Sequence, residues 1–320
     1  MSGYRYCLCL LLVAGTASAA PYAIGDVFAG VGNGQVKVFS HTGVLKQTLD
    51  TTTGSDEVSG AAFDNAGNYY VTGFQANSLS KFDSDGNMVN AHFATGFGSN
   101  NPESITFDSS GHMFVGQADG TGQILEFNAQ TGGAPIASFS PAPGDRGTDW
   151  IDLAADQRTI YYTSEGNQVK RFDIVSNMQL TDFAGNLPGP TAYALRILTD
   201  GSVLVADTDQ VVHLDSSGNI IKTYTLSGGD NLFALNLDPD GTSFWTGNID
   251  SDGELWEVDI DSGAILENFF PRPSVDVAGL AVFGEIRVGN PSSVPELSSI
   301  ILLATVGALV GWKFRKRLFG

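Results

Sequence analysis

The sequence predicts an all-β, six-bladed β-propeller on three observations: a repeating unit, strand-like alternation within each unit, and a composition rich in turn residues. Of 320 residues, 39 are Gly and 12 are Pro, and only 16% are charged, against about 25% in an ordinary globular domain. Hydrophobic residues make up 42%, with 20 Phe among them, so the chain buries a core. Collagen, coiled coil and disorder are excluded because Gly has no three-residue period, heptads are absent and apolar residues are plentiful.

The repeat comes first, because a period of 20 to 50 residues fixes an architecture. Gly60-Ala-Ala-Phe63-Asp-Asn-Ala-Gly67 matches Ser104-Ile-Thr-Phe107-Asp-Ser-Ser-Gly111. Ala194-Leu-Arg-Ile197-Leu-Thr-Asp200-Gly201 and Ala234-Leu-Asn-Leu237-Asp-Pro-Asp240-Gly241 continue the pattern, with a degenerate copy from Ile151 to Tyr162. Taking Phe63, Phe107, Leu153, Ile197 and Leu237 as equivalent, the steps are 44, 46, 44 and 40 residues. Each copy holds short runs of period two, joined by Asp/Gly turns in which Gly supplies a positive φ. About four such strands per unit make one propeller blade, whose two faces stay exposed until neighbours cover them.

Five complete blades are expected near 60–102, 103–147, 148–190, 191–229 and 230–275. The segments Gly25–Phe28, Gln35–Phe39 and Val44–Thr48 lack a first strand, and Ala278–Phe283 looks like that strand with no blade attached. The expected closure therefore joins the C-terminal strand to the three N-terminal ones, with five or seven blades as alternatives. The domain reading is 1–19 signal peptide, 20–287 propeller, and 288–320 linker and tail.

Both ends read as address labels. Arg5, an apolar run from Cys7 to Gly15, and Ala17-Ser18-Ala19 have the form of a secretory signal cut between Ala19 and Ala20. The apolar run is far shorter than the roughly 20 residues a bilayer span needs. Cys7 and Cys9 are the only cysteines, so a cleaved chain has no thiol and no disulfide. At the other end, Val294-Pro295-Glu296-Leu297 precedes an apolar stretch from Ile300 to Trp312 and a cluster of Lys313, Arg315, Lys316 and Arg317. A single transmembrane helix is expected at about 298–314, with the basic cluster cytoplasmic by the positive-inside rule. In that order and place, these features resemble a PEP-CTERM sorting tail, with Leu297 standing where the fullest motif has a second Pro. The resemblance implies transient anchoring in the inner membrane of a Gram-negative bacterium, cleavage near Pro295-Glu296 by an exosortase, and release to the surface among exopolysaccharide and biofilm matrix. A permanent tail anchor is the plainer alternative.

Formal charge is -19; five of the basic residues lie in the two ends, leaving 11 basic against 35 acidic residues, or -24, in residues 20–296. Such a surface repels phosphate backbones, which excludes nucleic acid as a partner.

The repeat resembles NHL-type blades, and the ring resembles the gluconolactonase and senescence-marker family of six-bladed propellers. Polar residues stand just before each innermost strand: Asp56 and Glu57, Asn101 and Glu103, Asp149, Thr191, Asp230 and Asn231, and Asp276. Of these, Glu57, Asn101, Glu103, Asp149, Asn231 and Asp276 are the candidate metal ligands, since converging carboxylates and amides suit calcium. The gluconolactonase resemblance implies a channel metal held by such side chains. Turn formation explains Asp and Asn at these positions equally well. A second calcium candidate is Asn248, Asp250, Asp252 and Asp259, which follow EF-hand loop spacing although no helices flank them.

No catalytic residue stands out. His41, His92, His112 and His213 form no metal-binding pair and lie in no Gly-x-Ser-x-Gly context. Tyr69, Tyr70, Tyr161, Tyr162, Trp245 and Trp256 could stack on sugar rings, but alternate strand positions must be buried, and packing between blades is the expectation. The functional expectation is an exported, non-enzymatic binding or scaffold propeller that engages exopolysaccharide or a surface protein. The alternative is a calcium-dependent lactone hydrolase, with metal-activated water and a carboxylate base.

Overall fold

The structure, a computed structural model, describes residues 22–290 apart from 55, 250–252 and 273–274. The expected signal, with Ala19 and Ala20, and the expected tail, with Val294, Pro295, Glu296 and the helix expected at 298–314, lie outside the described residues.

Six antiparallel sheets of four strands account for the secondary structure, and no helix occurs among the described residues. Blade 1 is β4 (Val58–Phe63), β5 (Tyr69–Gly73), β6 (Ser78–Phe82) and β7 (Met88–Ala94). Blade 2 is β8 (Pro102–Phe107), β9 (His112–Gln117), β10 (Ile124–Asn128) and β11 (Ala137–Phe139). Blade 3 is β12 (Ile151–Leu153), β13 (Thr159–Tyr162), β14 (Lys170–Asp173) and β15 (Met178–Gln179). Blade 4 is β16 (Ala192–Ile197), β17 (Val203–Asp207), β18 (Gln210–Leu214) and β19 (Ile220–Thr225). Blade 5 is β20 (Leu232–Leu237), β21 (Ser243–Asn248), β22 (Leu255–Asp259) and β23 (Ile265–Phe269). Blade 6 has the order β24 (Gly279–Val282), β1 (Val27–Gly30), β2 (Gln35–Phe39) and β3 (Leu45–Asp50), with Val27 opposite Val282 and Gly30 opposite Gly279. The expected closure by the C-terminal strand is therefore the one observed.

First strands touch first strands in the sequence β4, β8, β12, β16, β20, β24 and back to β4, which is a closed ring. In blades 1, 2, 4 and 5 the turn after the first strand is set by an Asp and a Gly at positive φ, and in blade 3 Gln157, at φ +61°, stands in the place of the Gly. In blade 1 the Gly67 N–H donates to the Asp64 carbonyl at 3.0 Å, the Asp64 carboxylate accepts from the N–H groups of Ala66 and Asn68, and Gly67 has φ +80°.

Packing between blades consumes the aromatics. Tyr70 meets Phe107 of the next blade edge-on at 5.2 Å, and Tyr69, Tyr162, Trp245 and Trp256 are all buried. Burial of each such side chain contributes roughly 1.5–3 kcal/mol, and none of these five is free to stack on a sugar. Near the axis the blades approach by backbone. A Cβ at Gly60 would sit 2.6 Å from the Glu103 carbonyl oxygen, and one at Gly116 would sit 2.4 Å from that of Thr148.

Beyond β24 the chain crosses one end of the channel and closes it. Glu285 accepts from Arg196 Nε at 2.7 Å, the Leu237 N–H at 2.8 Å, Asn236 Nδ2 at 2.9 Å and Arg287 Nε at 2.9 Å. Arg287 reaches on to the carbonyl of Ile105 at 2.9 Å, and Gln157 donates to the Gly289 carbonyl at 2.7 Å. The plug thus engages the inner parts of several blades, and its contacts run past residue 287, where the sequence placed the start of a linker.

Candidate functional site at the channel mouth

The opposite end, where the chain enters each first strand, is the channel mouth. Its centre is Arg146, carried by the loop between β11 and β12. The guanidinium donates to both carboxylate oxygens of Asp119 at 3.0 Å and to Glu165 at 2.5 Å, and lies 5.6 Å from the centre of the Phe74 ring. Around it stand Glu103 and Asp149, both buried. One oxygen of Glu103 and both oxygens of Asp149 receive no hydrogen bond from the protein.

Those environments set the protonation. Burial pushes the Glu103 carboxyl well up, and the Asp149 charge adds to it, while Arg146 opposes. Burial also pushes Asp149 well up, with Glu165, Asp119 and Asp145 adding and Arg146 opposing. Glu57 is raised more modestly, by burial and by the charges of Asp276 and Asp56. Two shallow cavities open here, one of about 340 Å³ beside Asp56, Glu57, Gln75 and Asp276, the other of about 320 Å³ beside Asp119 and Arg146.

The polar ring expected from the sequence is therefore divided. Glu57, Glu103 and Asp149 share the field of Arg146. Asn101 turns its amide to Asp119 at 2.7 Å and has φ +49°, and Asn231 has φ +50°. Asn tolerates that left-handed backbone better than other non-Gly residues, so turn formation explains both. Among the described residues, no three of Glu57, Glu103, Asp149 and Asp276 bring carboxylate oxygens within 4.8 Å of one another. An arginine stands among these acids, whereas calcium wants six to eight oxygens around it.

The EF-hand-like reading fails on register. Ser243 pairs with Asp259 and Gly247 with Leu255, so Asn248 and Asp259 lie at opposite ends of one ladder, roughly 16 Å apart at 3.3 Å per residue. One cation cannot take both. Asn248 accepts from the Glu254 N–H and Asp259 accepts from Ser262 in a turn; Asp250 and Asp252 lie outside the described residues.

The histidines are elsewhere. His41 is on the turn between β2 and β3, His92 on β7, His112 at the start of β9 and His213 on β18, and none is on a mouth loop. His213 accepts or donates a 2.9 Å bond with Ser202, and burial lowers its pKa. Sequence reasoning missed Arg146 and Glu165. The available signal was a basic residue in the longest step, the 46 residues between Phe107 and Leu153, of a chain poor in Lys and Arg.

No protein-family model matches the chain, and no curated protein matches it. Among solved structures it is similar to a chain from the crystal structure of a nidogen/laminin complex, with TM-score 0.61, 13% identity, and coverage of 80% of this chain and 97% of that one. At that identity the likeness speaks to architecture alone, and together with the ring of six sheets it establishes a six-bladed β-propeller.

Proposed function

We propose that this chain is an exported, non-enzymatic binding propeller whose ligand docks at the channel mouth, and that a PEP-CTERM tail processed by an exosortase delivers it to the cell surface or matrix. The observation that carries the docking site is the asymmetry of the channel. One end is plugged by residues 283–290, and the other keeps buried carboxyls with unmatched acceptors around a single arginine. The similar solved propeller belongs to a protein–protein complex, which accords with a scaffold role.

The charge of -24 over residues 20–296 narrows the ligand to a neutral or cationic one, since a polyanion would be repelled unless a cation bridged it. A neutral exopolysaccharide or a basic segment of a surface protein meets that requirement. Calorimetry of the full chain with dextran, chitosan and alginate oligosaccharides, and with a polylysine peptide, tests this. Binding of a neutral or cationic probe that Arg146→Ala alters supports the reading, and binding of alginate alone overturns it.

The lactone-hydrolase alternative needs converging metal ligands that the mouth does not gather, and no lactone turnover is expected with added calcium. For sorting, replacing Pro295 and Glu296 by Ala is expected to leave a full-length, membrane-bound form; unchanged release would refute the tail assignment.

A further inference from the structure

We propose that His41, Asp238 and Glu257, where blade 6 meets blade 5 on the plugged side, form a binding site for a divalent transition-metal ion, with zinc the ion of choice. The three residues come from three places: the β2–β3 turn, the turn after β20, and β22. Their ligand atoms lie within 4.8 Å of one another. His41 Nε2 is 3.2 Å from Glu257 Oε2 and 3.7 Å from Asp238 Oδ1. Ligands on a tetrahedral zinc with bonds of 2.0–2.1 Å stand about 3.3 Å apart, so the spacing matches with little movement.

A second observation points to a cation independently of the clustering. Glu257 is 2% exposed, and its Oε2 accepts no hydrogen bond although it faces the imidazole. Its other oxygen is fixed by Ser243 Oγ at 2.7 Å, and Trp245 Nε1 approaches Asp238 Oδ1 at 3.4 Å. Such outer partners hold ligating carboxylates in place in metal sites. His41 is 44% exposed, which leaves a side open for the ion to enter and for water as a fourth ligand. Imidazole with two carboxylates suits zinc and its neighbours, whereas calcium prefers oxygen alone.

The local sequence shows how the site is made. In blade 2 the equivalent Asp108 spends one carboxylate oxygen on the N–H groups of Ser110 and His112 and the other on His112 Nδ1 at 3.0 Å. In blade 5, Asp240 takes that turn-capping role by accepting from Thr242, which releases Asp238 to face Glu257.

The test is calorimetric titration of zinc chloride into the EDTA-stripped, buffer-exchanged full chain, with thermal unfolding alongside. Saturable zinc binding that raises Tm, weakened more than tenfold by His41→Gln while His112→Gln binds as wild type, is the expected result. Ser243→Ala, which acts through Glu257, is expected to weaken zinc about tenfold. Because Glu257 is buried and its variants risk misfolding, the half-exposed His41 carries the decision. No zinc binding by the wild type, or equal binding by a folded His41→Gln, overturns the proposal.

Discussion

The two ends of the channel use the same chemistry to opposite effect. At the plug, Glu285 is buried between Arg196 and Arg287, and both its oxygens are filled by four donors, while Arg196 Nη2 and Asn236 Oδ1 beside it make no hydrogen bond. Burial alone would raise its pKa, but the two arginines outweigh it and hold the carboxyl down at about 2. At the mouth, Arg146 is spent on Asp119 and Glu165, and Glu103 and Asp149 keep oxygens that nothing in the protein fills. Their carboxyls are pushed up instead. Breaking a satisfied buried ion pair is costly, whereas a buried carboxyl without its hydrogen bonds already carries a desolvation cost that a docked ligand would relieve.

The largest effect that sharpens this contrast is expected from the plug. Glu285→Ala leaves two buried guanidiniums without their shared partner and is expected to destabilise by about 3–5 kcal/mol, read as a lower urea midpoint. A loss below 1 kcal/mol would mean that the plug is not structural. Next comes Gly60→Ala, whose methyl collides with the Glu103 carbonyl; overpacking of this kind costs about 1–3 kcal/mol and would show as a lower Tm.

A smaller effect concerns pH. A carboxyl whose native pKa is raised binds its proton more tightly folded than unfolded, so its contribution to stability falls as pH rises from about 4 through the native value. Glu103 and Asp149 act in this sense, as does Asp238, which burial, with the Glu257 charge, raises to about 6, and the three carboxyls together are set against the single buried His213, whose lowered pKa acts oppositely in the same window. Tm is therefore expected to be higher at pH 5.5 than at pH 7.5. The depressed carboxyl of Glu285 acts oppositely, but only below about pH 4. A Tm that falls steadily from pH 7.5 to 5.5 would contradict the mouth assignment.

Much of the ring was legible before any coordinates. Phe63, Phe107, Leu153, Ile197 and Leu237 recur because each ends a first strand, and the unattached Ala278–Phe283 segment announced the closure through β24. The sites were less legible, because they are made by contacts that no period records. Arg146 comes from an irregular loop, Glu285 and Arg287 lie after the last repeat, and His41 reaches partners some two hundred residues away in blade 5. Asn248 and Asp259 misled because loop spacing says nothing of ladder register, which sets them at opposite ends.

The most direct measurement is the Tm at pH 7.5 of the full chain carrying Glu103→Gln and Asp149→Asn together. Replacing these two buried carboxyls, which keep oxygens without hydrogen bonds, by amides of the same shape is expected to leave Tm unchanged or raise it by a few degrees, about what 1 kcal/mol gives in a domain of this size. A fall comparable to that of Glu285→Ala would show that the mouth carboxyls are structural and that the channel has no end kept for a ligand.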